Sequence, residues 1–226
     1  MDLSTFFPEA RLFLAELAAN NAREWFTSQR DRYERVIRQP CELFCERASH
    51  GLEKLVGHPM EPRVYRIHRD LRFSQDRTPY NTHLHIGFFR FATAGKRACG
   101  GFFFGIETGR MMVGAGNFVF PEDVLARYRT RVDDSEEGEH LAALLRRLTE
   151  EGFRAKEIEL KRVPRGYASD HPRADLLRRK SLAIFEDIYP TPAQQHQDPV
   201  QLFLGRAERL VVLYDWILGL ENAGRE

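Results

Sequence analysis

The densest chemistry in the sequence is a run of arginines between Arg63 and Arg77, where five of them occur within fifteen positions. A guanidinium group is a planar fork of hydrogen-bond donors that fits the oxygens of a carboxylate or a phosphate. Two or three such forks converging on one point could hold an anionic ligand. The residues of this run that we take as ligand-binding candidates are Arg66, Arg69, Arg72 and Asp76.

The same run could instead be structural. Side chains alternate with a period of two along residues 63–73, which predicts a strand and places Arg69 among its apolar residues. A buried arginine requires a carboxylate or another hydrogen-bond partner, and Asp70, Asp76 and Glu24 could supply it. The other face of the strand carries the polar row Arg66, His68, Asp70 and Arg72. A structural ion-pair network, or a solvated sheet face, therefore stands beside the ligand site as an interpretation.

A second polar cluster extends from Lys161 to Pro172. Its prolines restrict the backbone and predict a loop rich in cations, and loops of this kind often carry function. The further ligand-binding candidates in this loop are Lys161, Arg162 and Tyr167. The alternative is a solvated connection whose charges only keep the surface soluble.

Proton transfer at such a site would require a titratable group beside the arginines, and an imidazole titrates near neutral pH. The candidates for this catalytic role are Asp70, Tyr80, His83 and His171. His83 and His85 also have the spacing that places two imidazoles on one strand face, as in some metal sites. No local signature fixes a third ligand, so we assign no metal, and the cofactor stays unknown.

Composition limits the classes of protein that the chain can belong to. With 226 residues, 42% hydrophobic and 30% charged, the chain is expected to fold around a core. Its formal net charge of +1 provides no global field for nucleic acid or an anionic membrane, although a local patch could still bind nucleic acid. No Walker A, G-x-S-x-G or H-E-x-x-H sequence occurs, which narrows the enzyme classes.

The location of the protein follows from what the sequence lacks. The chain does not begin with a basic segment followed by an apolar run, and no stretch approaches the roughly 18 apolar residues of a membrane span. Its three cysteines form no C-x-x-C pair. We therefore expect a cytoplasmic protein with reduced thiols and no membrane contact. The oligomeric state is not indicated.

The elements that must position these residues begin with three helices in the first sixty positions. Asn21 is predicted to cap the second helix, with Glu24 at the capping-box spacing, and the third helix is expected to begin at Pro40. Strands are predicted at residues 63–73 and 84–88.

A hairpin is predicted next, with strands at residues 102–107 and 111–116 joined by a turn containing Gly109. Helices should follow from Pro121, around residues 141–148, and from Asp198 to near the C-terminus. Residues 181–189 could form a strand or a short buried helix. This grouping predicts one α+β domain over residues 1–226, with N-terminal helices, a central antiparallel sheet and C-terminal helices.

Several motifs together make the chain similar to a known family. They include Phe6-Phe7-Pro8 and residues 20–26, 69–80, 160–167 and 171–172. On these residues the chain resembles the family catalogued as a domain of unknown function, number twenty-four sixty-one, found mainly in bacteria and fungi. The resemblance covers nearly the whole chain and implies that the two polar clusters belong to one shared feature. It implies no reaction, substrate or cofactor.

The sequence departs from the typical family motif at two positions of the arginine run. Arg77 stands where lysine is usual, and Leu71 stands where threonine is usual. Neither change removes a charge, so neither alters the expectation of a cationic site.

The leading hypothesis is a pocket for an anionic small molecule, bearing phosphate or carboxylate and lined by both clusters. Whether the protein is an enzyme stays open; phosphate-ester or acyl chemistry would suit such a site, because preorganised cations stabilise developing negative charge. The alternative is a noncatalytic module that binds a protein or a nucleic acid, in which the arginines contact phosphate or are purely structural. The sequence does not determine whether the two clusters meet in space.

Overall fold

The structure of the chain, a computed structural model, describes residues 3–72, 74–91, 97–191 and 197–222. Phe73, predicted to lie in the first strand, is outside the described residues. The architecture is α+β, with helices before and after a six-stranded antiparallel sheet, which confirms the predicted fold class. No helix among the described residues is long and apolar enough to cross a membrane.

Helical structure dominates the first sixty residues because apolar side chains recur there at helical spacing. The helical elements are α1 (Phe6–Ala19), α2 (Arg23–Ser28), α3 (Arg30–Tyr33), a π-helical segment (Glu34–Arg38) and α4 (Gln39–Val56). The last three are continuous, so the helix expected to begin at Pro40 extends further towards the N-terminus. Pro40 has no N–H to donate to the carbonyl of Val36, and this missing bond interrupts the α-helical pattern at the π-helical segment.

The prediction that Asn21 caps α2 is wrong. The N-cap of α2 is Ala22, which makes no side-chain hydrogen bond to the helix. The Asn21 amide instead donates to the Tyr80 carbonyl at 2.9 Å and accepts from the Tyr80 N–H at 3.1 Å. A primary amide offers both a donor and an acceptor, so one side chain satisfies both backbone groups of a residue far along the chain.

The strands form the order β1-β2-β3-β4-β6-β5, with every neighbouring pair antiparallel. They are β1 (Glu61–Val64), β2 (Leu84–Phe91), β3 (Arg97–Ile106), β4 (Met111–Asn117), β5 (Arg154–Ala155) and β6 (Leu182–Ile188). The prediction of a strand at 84–88 and of the β3–β4 hairpin is confirmed. Residues 181–189, for which strand and helix were both open, form β6.

The strand predicted over residues 63–73 is wrong beyond Val64. The Tyr65 N–H still donates to the His85 carbonyl at 2.9 Å. The chain then leaves the sheet and folds back on itself, with the Arg69 N–H donating to the Pro79 carbonyl at 2.9 Å and the Asn81 N–H to the Ile67 carbonyl at 2.7 Å. Because these backbone groups pair within the segment, the alternating side chains there do not extend the ladder that β1 makes with β2.

One face of the sheet forms the main core with the helices. Helix α8 (Pro199–Asn222) contacts β3 and β4, and Phe203 on it lies 5.2 Å from the Phe88 ring. Phe44 of α4 approaches Phe104 to 4.4 Å between ring centroids. Burial of these large aromatic side chains is the main source of cohesion between helices and sheet.

The other face carries aromatic side chains lying over glycines. A Cβ atom on Gly101 would lie 2.7 Å from Cδ1 of Phe89, and one on Gly105 would lie 2.9 Å from Cδ2 of His85. These glycines therefore leave the space that the neighbouring rings occupy.

The remaining helices are α5 (Glu122–Asp133), α6 (Ser135–Glu150) and α7 (Ala174–Leu177). Helix α5 begins directly after Pro121, as predicted. The first turn of helix α6 is acidic. The helix begins there because Asp134 caps it, with a side chain that accepts hydrogen bonds from the N–H groups of Glu136 and Glu137.

The two hydrogen bonds between the Asn21 amide and the Tyr80 backbone should be important for stability. Asn21→Ala would leave the N–H and carbonyl of Tyr80, a residue only 5% exposed, without these partners. The expected loss in free energy of unfolding is about 1–3 kcal/mol, measured by denaturant titration. Asn20→Ala is the matched control, since the exposed Asn20 side chain bonds only to the Glu16 carbonyl of its own helix. Equal losses for both variants would contradict the assignment.

Candidate functional site

The two polar clusters lie at opposite corners of the sheet. Residues 65–81 follow edge strand β1 and leave the sheet at the end where β2 starts, whereas residues 156–181 follow edge strand β5 and leave at the end where β6 starts. Neighbouring strands are about 4.8 Å apart, so the five spacings between the two edges amount to roughly 24 Å. The structure therefore does not bring Arg66, Arg69 and Arg72 together with Lys161 and Arg162.

Arg69 is the centre of a hydrogen-bond network inside its own loop. Its guanidinium pairs with the Asp76 carboxylate and donates to the Thr78 hydroxyl, to the Thr78 carbonyl at 3.2 Å and to the Ser74 hydroxyl at 3.2 Å. The Thr78 N–H and the Arg69 guanidinium lower the pKa of Asp76 to about 2. Arg69 and Asp76 thus hold the loop together, which is the structural role considered for them from the sequence.

Asp70 and Arg72 also pair with each other. The Arg72 guanidinium donates to the Asp70 carboxylate at 2.6 Å, and this contact lowers the pKa of Asp70. Both side chains are exposed, so the pair contributes little to stability and mainly neutralises two of the predicted site residues.

A groove of about 550 Å³ does form next to this loop, between α2–α3 and residues 66–68. Its aromatic wall consists of Phe26, Tyr33 and Tyr80, with Phe26 and Tyr80 stacked at 4.2 Å between centroids. The His68 ring lies against both stacked rings, 5.9 Å from Phe26 and 5.1 Å from Tyr80. Tyr80 is buried and forms part of this wall, rather than an exposed proton donor.

Cations line the same groove. The guanidinium groups of Arg30 and Arg66 are exposed and make no hydrogen bond or ion pair with any described residue. Arg38 lies on the π-helical segment and is shared between Glu34 at 3.0 Å and Glu42 at 3.2 Å. The groove therefore carries two cations whose donors are available, beside a third that is already neutralised.

His83 directly precedes β2 and does not line the groove that Arg66 lines. Its ring stacks on that of His85 at 4.0 Å, and burial lowers the pKa of both imidazoles, to about 4 for His85. The His85 Nε2 lies 3.6 Å from Glu107, which is itself held by Arg110 at 2.9 Å. The pair is therefore uncharged at neutral pH.

These histidines do not converge with further ligands of the usual kind. Within the described ranges of the chain, no group of three or more histidine, cysteine or acidic side chains has an arrangement that could hold a metal ion. His68 and Asp70 lie on the loop after β1.

The second cluster, residues 161–172, is a loop that contacts of its last residues hold in place. Nδ1 of His171 accepts the Arg173 N–H at 3.0 Å, and its Nε2 lies 3.2 Å from the Asp133 carboxylate. Tyr167 packs against the core. Both ring nitrogens of His171 are thus engaged, whereas Lys161 and Arg162 are exposed to solvent.

Sequence reasoning missed Arg30 and Arg38 in the groove. A local signal existed, because Arg30, Glu34 and Arg38 recur every four residues and so lie on one helical face. It missed Arg179 as well, a buried arginine just before β6, because no local pattern distinguishes a buried cation from an exposed one.

Comparison with known proteins finds a matching family model. The model of the family described as conserved hypothetical protein (DUF2461) matches residues 9–216, a range that includes the groove and both clusters. No curated protein matches the chain. The match confirms the resemblance seen in the sequence motifs.

Replacing Arg69 should destabilise the fold more than replacing Arg72. Arg69→Ala removes several hydrogen bonds from a side chain only 23% exposed, and the expected loss is about 1–3 kcal/mol in the free energy of unfolding. Arg72→Ala, at a side chain 77% exposed, should change it by less than about 0.5 kcal/mol. Denaturant titration measures both; a neutral Arg69→Ala variant would remove the structural role.

The neutral histidine pair should make stability depend on pH. The unfolded chain binds a proton at His85 near the ordinary pKa of 6.5, whereas the folded protein resists protonation down to about 4. This contribution is complete above pH 6.5 and is lost as the pH falls from 6.5 towards 4.

We expect His85→Gln to flatten the decline in melting temperature across that pH window. His50→Gln, at an exposed histidine of α4, should retain the wild-type slope and serves as the control. Parallel curves for wild type and His85→Gln would contradict the burial effect.

Proposed function

We propose that this chain, which belongs to the DUF2461 family of conserved hypothetical proteins, binds an anionic small molecule in the groove between α2–α3 and residues 66–68. The observation that carries the proposal is the state of Arg30 and Arg66: both line the groove, and neither guanidinium makes a hydrogen bond or ion pair with a described residue. Arg66 has only a longer-range attraction to Asp70, which helps to lower the pKa of that carboxyl. A phosphate or carboxylate group would supply the missing partner through charge-assisted hydrogen bonds.

The other charges near the groove leave these two arginines available. Glu34 lines the groove but is paired with Arg38. Asp70 and Asp76 are paired with Arg72 and Arg69. An incoming anion therefore faces two cations that make no ion pair, while the carboxylates of Glu34, Asp70 and Asp76 are paired with other arginines.

The shape and lining of the groove suit a ligand that also has a flat or apolar part. A volume of about 550 Å³ falls within the range of small-molecule sites. The rings of Phe26, Tyr33 and Tyr80 offer a surface against which such a part could pack. The π-helical segment at one wall adds support, because such segments occur frequently at functional sites.

His68 is the titratable group placed for proton transfer on a bound ligand. Its imidazole is part of the groove lining, whereas the two histidines named from the sequence, His83 and His171, contact partners outside the groove. The proposal is one of binding, and it extends to catalysis only through this side chain.

The test is a set of binding titrations with inorganic phosphate, nucleoside monophosphates and aromatic carboxylates. A ligand at one hundred times its dissociation constant should stabilise the wild type by about 2.7 kcal/mol. Arg66→Ala and Arg30→Ala should fold normally, since both side chains are exposed, and should bind at least about ten-fold more weakly, a loss of about 1.4 kcal/mol each.

Arg35→Ala is the matched control, because Arg35 is an exposed arginine on the same helical run that does not line the groove. Its affinity should equal that of the wild type. If affinity fell equally in all three variants, or if no compound of the panel bound, the groove would not be the anion site. Affinity that falls steeply with salt and is highest for polynucleotides would instead favour nucleic-acid binding.

A further inference from the structure

We infer that the chain has a second anion site, built around Arg179, in a cavity at the opposite corner of the sheet from the groove. Arg179 precedes β6, and its side chain belongs to a residue that is only 9% exposed. It lines a cavity of about 680 Å³ between α6, β5 and α7. The ligand class we assign is a small organic acid or phosphate ester.

The state of the Arg179 guanidinium carries the inference. It donates to the Lys156 carbonyl, and its Nε is buried without a hydrogen-bond partner. No carboxylate of a described residue forms an ion pair with it. A guanidinium has five N–H donors, and a buried positive charge is costly unless it is paired.

Two carboxylates near Arg179, those of Glu159 and Asp175, are engaged by other groups. Glu159 is held by Lys156 at 2.7 Å and by the Lys180 N–H at 3.0 Å, which together with the Ser181 hydroxyl keep its pKa near 2. Asp175 pairs with Arg178 at 2.6 Å. None of these acids therefore compensates the buried charge.

The cavity also provides groups for the rest of a ligand. Apolar side chains such as Leu145 and Leu176 form part of its lining, together with Thr149 and Glu150. Glu150 makes no ion pair among the described residues, so it could accept a hydrogen bond from a hydroxyl or ammonium group of the same molecule. Arg173 lines the cavity too but is occupied by backbone carbonyls of residues 132–134.

An oxyanion would satisfy both the unpaired Nε–H and the uncompensated charge of Arg179, whereas water would satisfy only the N–H. Two oxygens of one carboxylate or phosphate can accept parallel N–H bonds from a single guanidinium, and they supply the missing negative charge at the same time. The groove and this cavity share no lining residue, so the two sites are independent.

The experiment uses the full chain with both groove arginines removed, Arg30→Ala with Arg66→Ala, so that failure of the groove proposal cannot affect its result. Inorganic phosphate and malonate are titrated by calorimetry and by thermal shift. We expect at least one of them to bind and to raise the melting temperature. Absence of binding by both anions would overturn the inference.

Adding Arg179→Lys to this background tests the residue itself. Lysine keeps the charge and one donor for the Lys156 carbonyl but loses the planar fork, so affinity should fall at least about ten-fold. Arg165→Lys, at an exposed arginine of the 161–172 loop, is the control and should bind as its parent does. Unchanged affinity in the Arg179→Lys variant would overturn the assignment.

A second measurement covers the case in which Arg179→Lys unfolds. The Nε–H resonance of Arg179 in the folded parent should move during the phosphate or malonate titration, whereas that of exposed Arg165 should not. A stationary Arg179 resonance in a protein that binds the anion would place the ligand elsewhere.

Discussion

The two hydrogen bonds between the Asn21 amide and the Tyr80 backbone hold the helical wall of the groove against the loop that follows β1 and forms its other wall. Asn21 belongs to the junction of α1 and α2, and Tyr80 belongs to the segment that returns to β2. Once Tyr80 is fixed, its ring stacks on Phe26 and the His68 ring rests on both. The aromatic wall therefore depends on one polar side chain that lies outside the groove.

The helices and most strands could be predicted because their side-chain periodicity reflects a simple environment. Leu84, Ile86 and Phe88 face the core on one side of β2, so alternation there reports a true strand. The same alternation after Val64 is misleading, because it describes the order of apolar and polar side chains and does not show which groups the backbone bonds to. At Arg69 the backbone pairs with Pro79 instead of with a neighbouring strand.

A similar limit applies to Asn21 and Glu24. Their spacing is that of a capping box, but the Asn21 side chain bonds to the backbone of Tyr80, far along the chain, and not to the first turn of α2. The sequence contains both possibilities, and only tertiary contact with Tyr80 decides between them. The candidate site was predictable only in part. Arg66 was identified, and Asp76 was named as a possible partner of Arg69, with which it does pair. The burial of Arg179 and its unpaired Nε result from tertiary packing, which no local pattern reports.

The π-helical segment has a consequence for the angular position of the cationic wall. A turn in which N–H groups reach back five residues contains one more residue than an α-helical turn, and one residue corresponds to a rotation of about 100°. Glu34–Arg38 therefore offsets α3 about the helix axis relative to α4, whose buried face is fixed by Phe44 and Cys41. The direction in which Arg30 points thus depends on the number of residues between Arg30 and Cys41. Deleting one residue there that does not line the groove would turn Arg30 away from the groove, although every side chain of the groove would still be present.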